Sequence, residues 1–313
     1  MKVVSLLPSA TDIVCRLGLE DKLVGRSHSC DFPPSVLDLP ALTSTRVEPY
    51  LPSVEIHRSV ENILKEAVTV YQLDEKKLQE LAPDFIITQN LCDVCAVSYG
   101  QVENACKQAF GDQAQLISLQ PGTLEDVWQT VKQVAEALDA VSAYESFRND
   151  VEKRTKYIQE KVANLSKKRV LTIEWIDPVY IGGLWMADMV EICGGKPLFS
   201  KPGEKAVVLN AEQLQSIDPE VVVVKPCGFN LDQLIGEIDR LKQQVPWQNW
   251  TASREQQFYF VDGNRYFNRP GPFLMESLEI LAYCTHPEAF PDFGTRYARD
   301  CIRLSAGLEL PVN

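Results

Sequence analysis

The chain reads as an α/β protein: two parallel-sheet lobes joined by one long, rigid connecting helix. Three observations predict this. Short apolar runs alternate with helix-period segments up to residue 122. The alternation restarts after residue 167. Between them, residues 123–165 are helical in pattern almost throughout. Strand–helix alternation is the signal for a parallel α/β layer. The boundaries follow as 1–122 for an N-terminal lobe, 123–167 for a connecting segment and 168–313 for a C-terminal lobe.

The connecting span is justified first. Thr123 is a cap with Asp126 three residues on, so the free N–H groups of the first turn meet an acceptor and a negative charge. Leu124, Val127, Val131, Val134 and Leu138 recur at three and four, one buried stripe. Residues 139–142 interrupt it. The stripe resumes at Tyr144, Phe147, Val151, Ile158, Val162 and Leu165, opposite a face carrying Glu145, Arg148, Asp150, Glu152 and Lys153. Residues 142–165 make roughly 35 Å of helix, enough to cross from one lobe to another. The competing reading is a surface helix of a single domain.

In the first lobe, residues 3–7 form a buried strand. Pro8-Ser9 turns into a helix over 10–17, closed by Gly18 as a left-handed cap. Residues 23–26 are a strand, 38–52 irregular, 60–67 and 75–81 helical, 84–88 a strand, 99–110 a helix and 115–119 a strand. In the second lobe, strands are expected at 169–174, 221–225 and 257–261. Helices are expected at 187–193, 210–216, 231–242, 272–284 and 296–303.

The bulk numbers exclude several classes. A length of 313 residues suits two ordinary domains, and 45% hydrophobic content is ample for a core. Net charge is −12, which argues against a nucleic-acid partner, because phosphate binding needs a basic surface. No window approaches the ~18 apolar residues of a membrane span, so no membrane insertion is expected. The opening residues lack an apolar signal region, so the expected location is cytoplasmic for a complete chain and periplasmic for a trimmed one. Nine cysteines, an odd number, do not look like a disulfide framework. Cys15, Cys106, Cys193, Cys284 and Cys301 fall on apolar faces expected to be helical and read as packing residues.

Ligands of open α/β sheets bind beyond the carboxyl ends of the strands. The residues there are Ser9, His28, Cys30, Asp31, Gln89, Asn90, Cys92 and Cys95 in the first lobe. The second lobe offers Trp175, Asp177, Trp185, Cys227, Phe229, Arg265, Tyr266, Phe267 and Arg269. Two such edges facing each other would give apolar walls with a few polar anchors, the usual make-up of a small-molecule site. Each aromatic also has a plain packing reading. The pair Cys92-Asp93-Val94-Cys95 is the sharpest local signal. It is open to packing, metal and redox readings. His28, Cys30 and Cys227 would complete a zinc or iron site if the fold gathers them. No nucleophile elbow, P-loop, GxGxxG or HExxH motif is present, and no acid–base pair stands out, so an enzyme is not expected.

Several stretches together carry a family resemblance. Val4-Ser5-Leu6-Leu7-Pro8-Ser9-Ala10-Thr11-Asp12, with Leu17-Gly18 and Leu23-Val24-Gly25, resembles the start of the cobalamin and iron–siderophore binding proteins of ABC importers. Leu81-Ala82-Pro83-Asp84-Phe85-Ile86-Ile87, Glu191-Ile192-Cys193-Gly194-Gly195 and Phe267-Asn268-Arg269-Pro270-Gly271-Pro272 are similar to that class too. The resemblance runs nearly the whole chain, in order, and is nearest to signal-less, cobalamin-binding-like members. It implies two lobes on one long helix and a corrinoid or metal chelate between them. It also implies an ABC permease as partner, for which Asp188 is the acidic residue available between Gly182 and Met189.

Trp175, Trp185, Tyr266 and Phe267 would then stack the ligand, and Arg269 and Asp177 would anchor its polar edges. The rival expectation is a cytosolic metal- or thiol-dependent protein using Cys92, Cys95, Cys227, Cys30 and His28. A third is an enzyme acting on a corrinoid-like substrate.

Overall fold

The computed structural model of the chain describes residues 1–66, 70–89, 98–111 and 113–304. The first lobe runs through β1 (Val3–Ser5), α1 (Pro8–Arg16), β2 (Leu23–Arg26), β3 (Thr43–Thr45), α2 (Ser53–Glu66), β4 (Tyr71–Leu73), α3 (Glu75–Leu81), β5 (Phe85–Gln89), α4 (Tyr99–Phe110) and β6 (Gln115–Leu119). Four of these strands form a parallel sheet in the order β2-β1-β5-β6. Central β1 is buried throughout its three residues, as parallel strands covered on both faces are. Pro8 supplies the fixed φ for the first turn of α1, and Gly18 takes φ 76° just beyond its end, the left-handed position glycine tolerates.

Residues 38–52, expected to be irregular, include β3, which pairs antiparallel with β4. Helix α2 interrupts this hairpin and begins seven residues earlier than the periodicity indicated. Ser53, buried at its first position, sets the start.

The connecting span is two helices, α5 (Leu124–Ala137) and α6 (Val141–Val162). The interruption read at 139–142 is a true break: Asp139 takes φ 62°, and the helices pack against each other, with Trp128 and Phe147 edge to face at 5.7 Å. The Thr123 cap forms as expected. Thr123 Oγ1 accepts from the Asp126 N–H at 3.2 Å, and Asp126 Oδ2 accepts from the Thr123 N–H at 2.8 Å, the reciprocal arrangement of a capping box.

One apolar cluster runs from Leu7, Ile13 and Val14 in lobe one, through Val131, Phe147, Val151 and Ile158, to Met189 and Leu278 in lobe two. Full burial of each such side chain contributes about 1.5–3 kcal/mol. On the polar side, Arg154 of α6 donates to Glu276 at 3.2 Å and Glu279 at 2.9 Å. The helical pair therefore fixes the lobes to one another through shared core.

The second lobe comprises β7 (Lys168–Trp175), β8 (Tyr180–Ile181), α7 (Met186–Ile192), β9 (Gly195–Pro197), β10 (Val207–Val208), α8 (Ala211–Gln215), β11 (Val221–Val224), α9 (Leu231–Gly236), α10 (Ile238–Gln244), α11 (Thr251–Arg254), β12 (Phe258–Val261), α12 (Leu274–Thr285), α13 (Pro291–Arg296) and β13 (Cys301–Leu304). Its sheet runs β10-β8-β7-β11-β12-β13, with β9 also paired to β7. The centre is parallel, while β8, β10 and β13 pair antiparallel. The helix expected at 296–303 is instead the end of α13 and edge strand β13. Cys301 is thus a strand residue, buried beside Cys284.

Candidate functional site

The lobes meet at the carboxyl ends of their strands. From lobe one comes the loop after β2, and from lobe two the loop after β12. Asp262 shapes the latter: its Oδ1 accepts from the N–H groups of Asn264 and Arg265 at 3.0 and 2.9 Å. Gly263 between them has no room for a Cβ, which would overlap the Pro226 carbonyl oxygen. Phe267, at φ 67°, donates its N–H to Ser277 Oγ at 2.9 Å and accepts from Trp185 Nε1 at 2.7 Å.

Three side chains from this loop, Asn264, Arg265 and Arg269, cross to lobe one. Arg269, only 7% exposed, donates to Asp31 Oδ1 at 2.7 Å and to Asn264 Oδ1 at 3.0 Å. Asn264 Nδ2 closes the triangle on Asp31 Oδ2 at 2.7 Å. The Arg265 guanidinium lies 4.6 Å from the Phe32 ring centre and 5.4 Å from those of Tyr266 and Phe273. Phe32 and Phe273 meet edge to face across the seam at 5.2 Å. A cation over aromatic faces gains most where water is excluded.

Beside this cluster lies Asp12, one turn into α1 and 3% exposed. Neither of its carboxylate oxygens has a hydrogen-bond partner among the described residues. Burial pushes its pKa up from 3.8 to about 7, against the pull of Arg269 and Arg265 and with a further push from Asp31. Ser9 Oγ, Thr88 Oγ1, Trp175 Nε1 and Arg265 Nε are likewise buried without partners. All five residues stand at or beside strand carboxyl ends. Native proteins satisfy most such groups; Arg26, Arg240, Ser253 and Glu276 also hold a buried atom without a hydrogen-bond partner among the described residues, so the strand ends carry much but not all of the unmet polarity.

On the lobe-two side, Trp175 ends β7, half buried, and meets Phe229 edge to face at 5.4 Å. Beneath them Lys225, 1% exposed, donates to Glu174 Oε2 at 3.0 Å and Asn268 Oδ1 at 2.9 Å. Asp177 is held within lobe two by Arg240 Nη1 at 3.2 Å and Gln244 Nε2 at 3.3 Å.

Against the sequence expectations, the seam gathers Asp31, Arg265 and Arg269, with Ser9 close by: a Cβ on Gly271 would meet the Ser9 carbonyl oxygen at 3.3 Å. Gln89 is buried at the end of β5. Asn90, Cys92 and Cys95 lie outside the described residues. Three expectations are corrected. Trp185, Tyr266 and Phe267 are 6%, 3% and 0% exposed and belong to the continuous core. The bond from Trp185 Nε1 to the Phe267 carbonyl holds the Trp185 ring in that core.

Of the expected metal set, Cys92 and Cys95 lie outside the described residues, and among the described residues no group of three His, Cys, Asp or Glu side chains could hold an ion. Cys30 is buried and accepts from Thr11 Oγ1 at 3.0 Å, its thiol pushed up to about 11 by burial. His28 Nδ1 lies 2.7 Å from Thr43 Oγ1, and Cys227 is exposed. Asp188, the only acidic residue available between Gly182 and Met189, accepts from the Leu124 N–H at 2.9 Å at the start of α5.

Sequence reasoning missed Asp12, Phe32, Phe273 and Asn264. The available signal for Asp12 was a lone carboxylate within the buried run Ala10 to Val14.

Residues 3–264 match the family described as periplasmic binding protein, and the chain belongs to it. It is 24% identical to a vitamin B12-binding protein of Vibrio parahaemolyticus over 92% of this chain and 90% of that one. It is 23% identical to an uncharacterized ABC transporter substrate-binding lipoprotein of Bacillus subtilis over 93% and 82%. Among solved structures, the periplasmic vitamin B12-binding protein of Vibrio cholerae superposes with a TM-score of 0.64 at 18% identity, covering 92% of this chain and 97% of that one. A periplasmic heme-binding protein of Pseudomonas aeruginosa gives 0.67 at 20%, covering 98% and 96%.

These likenesses bear out the two-lobed α/β fold. They are to binding proteins, not to enzymes. The expectation of a cytoplasmic protein is overturned: the family is periplasmic by description, and the relatives include a lipoprotein and periplasmic proteins.

Proposed function

We propose that the chain is the substrate-binding component of an ABC importer and holds a corrinoid, or another flat metal chelate such as heme, between its lobes. The observation that carries this reading is the family match over residues 3–264, joined to a seam where both sheets present their carboxyl ends. Asp31, Arg265 and Arg269 would exchange their bonds across the seam for bonds to the guest's polar edge, with Ser9, Gln89 and Asp177 at the margins. Trp175 would meet its flat face, with buried Phe229, Trp185, Tyr266 and Phe267 as backing. The site binds and releases without chemistry, and an ABC permease is the partner that receives the guest.

The test is titration of aquocobalamin and of hemin against tryptophan fluorescence. Saturable quenching at micromolar concentration is expected with at least one of them. Trp175→Phe should remove a large share of that signal while leaving the other four of the five tryptophans. No quenching by either compound would defeat the reading.

A further inference from the structure

Helix α2 is placed unlike any other long helix of the protein. It is spliced into a hairpin of lobe one: Thr43 pairs with Leu73 and Thr45 with Tyr71, and the Arg46 N–H donates to the Val70 carbonyl at 3.0 Å. Yet its first turn is fastened to lobe two. Both the N–H and the Oγ of Ser53 donate to Glu237 Oε2, the former at 3.3 Å. Ser53 and Glu237 are 0% and 7% exposed. Just before the helix, the Pro49 carbonyl accepts from Gln233 Nε2 at 3.0 Å. One turn in, the His57 ring lies 6.1 Å from that of Tyr180, and Tyr180 is the strand partner of Trp175.

The fastening continues to the mouth of the candidate site. Arg240 lies 3.5 Å from Glu237 and 3.2 Å from Asp177, two residues beyond Trp175.

Beyond that first turn the helix is loosely seated. Ile56, Val60 and Ile63 make an apolar stripe, but every one is only half buried. Among the described residues, no helix or strand packs extensively against α2, in contrast to α4, α5, α6 and α12. A 14-residue helix with an amphipathic pattern normally buries such a stripe, and short helices in water are marginal without tertiary packing.

We infer that α2 is a third wall of the interlobe site. It is a lid pinned at one end by Ser53–Glu237, and its apolar stripe is covered by the flat, largely apolar face of the bound guest. The inference rests on the reading of the chain as a binding protein for such a guest, and it adds a selectivity: the guest must present an apolar surface broad enough to reach Val60 and Ile63 while its polar edge meets Arg269. Because the pin lies at the amino end, the lid opens from its carboxyl end.

The test uses the full chain in two arms. Without ligand, amide exchange over residues 54–66 should speed up about tenfold in Glu237→Ala and less in Ser53→Ala, the gentler variant, while β11 exchanges as in wild type. With aquocobalamin and hemin as probes, Ser53→Ala and Glu237→Ala should raise the dissociation rate at least threefold. Val60→Ser and Ile63→Ser should weaken binding about tenfold with little change in melting temperature. If wild type binds a probe and these variants release it at the wild-type rate with unchanged affinity, the lid is refuted and the binding function stands. If wild type binds neither probe, the binding function falls and the lid falls with it.

Discussion

Asp12→Asn isolates the buried carboxyl at the seam. In the folded chain Asp12 has a pKa of about 7 against an ordinary 3.8, because burial outweighs the attraction of Arg269 and Arg265. A carboxyl held high in the folded state favours folding only while it stays protonated. That contribution is intact below the unfolded value. It drains away as pH rises, since the unfolded chain releases its proton first. Each unit of separation is worth about 1.4 kcal/mol, so the wild-type penalty should grow by about 2–3 kcal/mol between pH 5 and pH 8.

Asparagine fills the same volume and does not titrate. All other titrations are common to both proteins and cancel in the difference. Urea unfolding of both proteins across that range is the assay. The variant's stability relative to wild type should climb with pH and level off above neutrality. A difference that stays flat across the range would refute the reasoning, because it would mean Asp12 is hydrated or already ionised in the folded chain.

Three further outcomes follow from the same geometry. Glu174→Ala leaves the Lys225 ammonium buried with only Asn268 as acceptor; it should cost about 3 kcal/mol in urea unfolding, and adding Lys225→Met should restore most of that. Arg269→Ala removes the bond to Asp31 and the cation beside Asp12. It should lower stability by about 2 kcal/mol, discounted because Asp31 is half exposed, and should weaken aquocobalamin or hemin binding in the fluorescence titration. Gly263→Ala drives a methyl into the Pro226 carbonyl; it should displace the loop carrying Asn264, Arg265 and Arg269 and lower both the melting temperature and the affinity.

The fold was legible because its signals are local. Thr123 and Asp126 announce a helix start by chemistry acting across three residues. The strand of Val221 to Val224 is buried on both faces and reads so in four valines. The misreadings are local too. Residues 301–304 pair with β12, a contact that a short mixed stretch does not advertise, so the local pattern points to helix instead. The rod from 123 to 165 became two helices because Asp139 tolerates a left-handed turn, which an interrupted stripe only hints at.

The sequence by itself determined the alternation of strands and helices, the helix caps, the acidic surface and the set of residues standing at strand ends. It did so because backbone pattern and burial on one face leave a period of two or 3.6 in the chain. Which strand-end residues face the other lobe was settled only by the tertiary structure. Arg269 and Asp31 are 238 positions apart, and no periodicity records that they meet. Trp185 and Tyr266 read as rims and are interior, while Asp12, which sequence reasoning misses, borders the seam. Local pattern tells a residue which side of its own element is dry, not whether a core, a second lobe or a guest keeps it so.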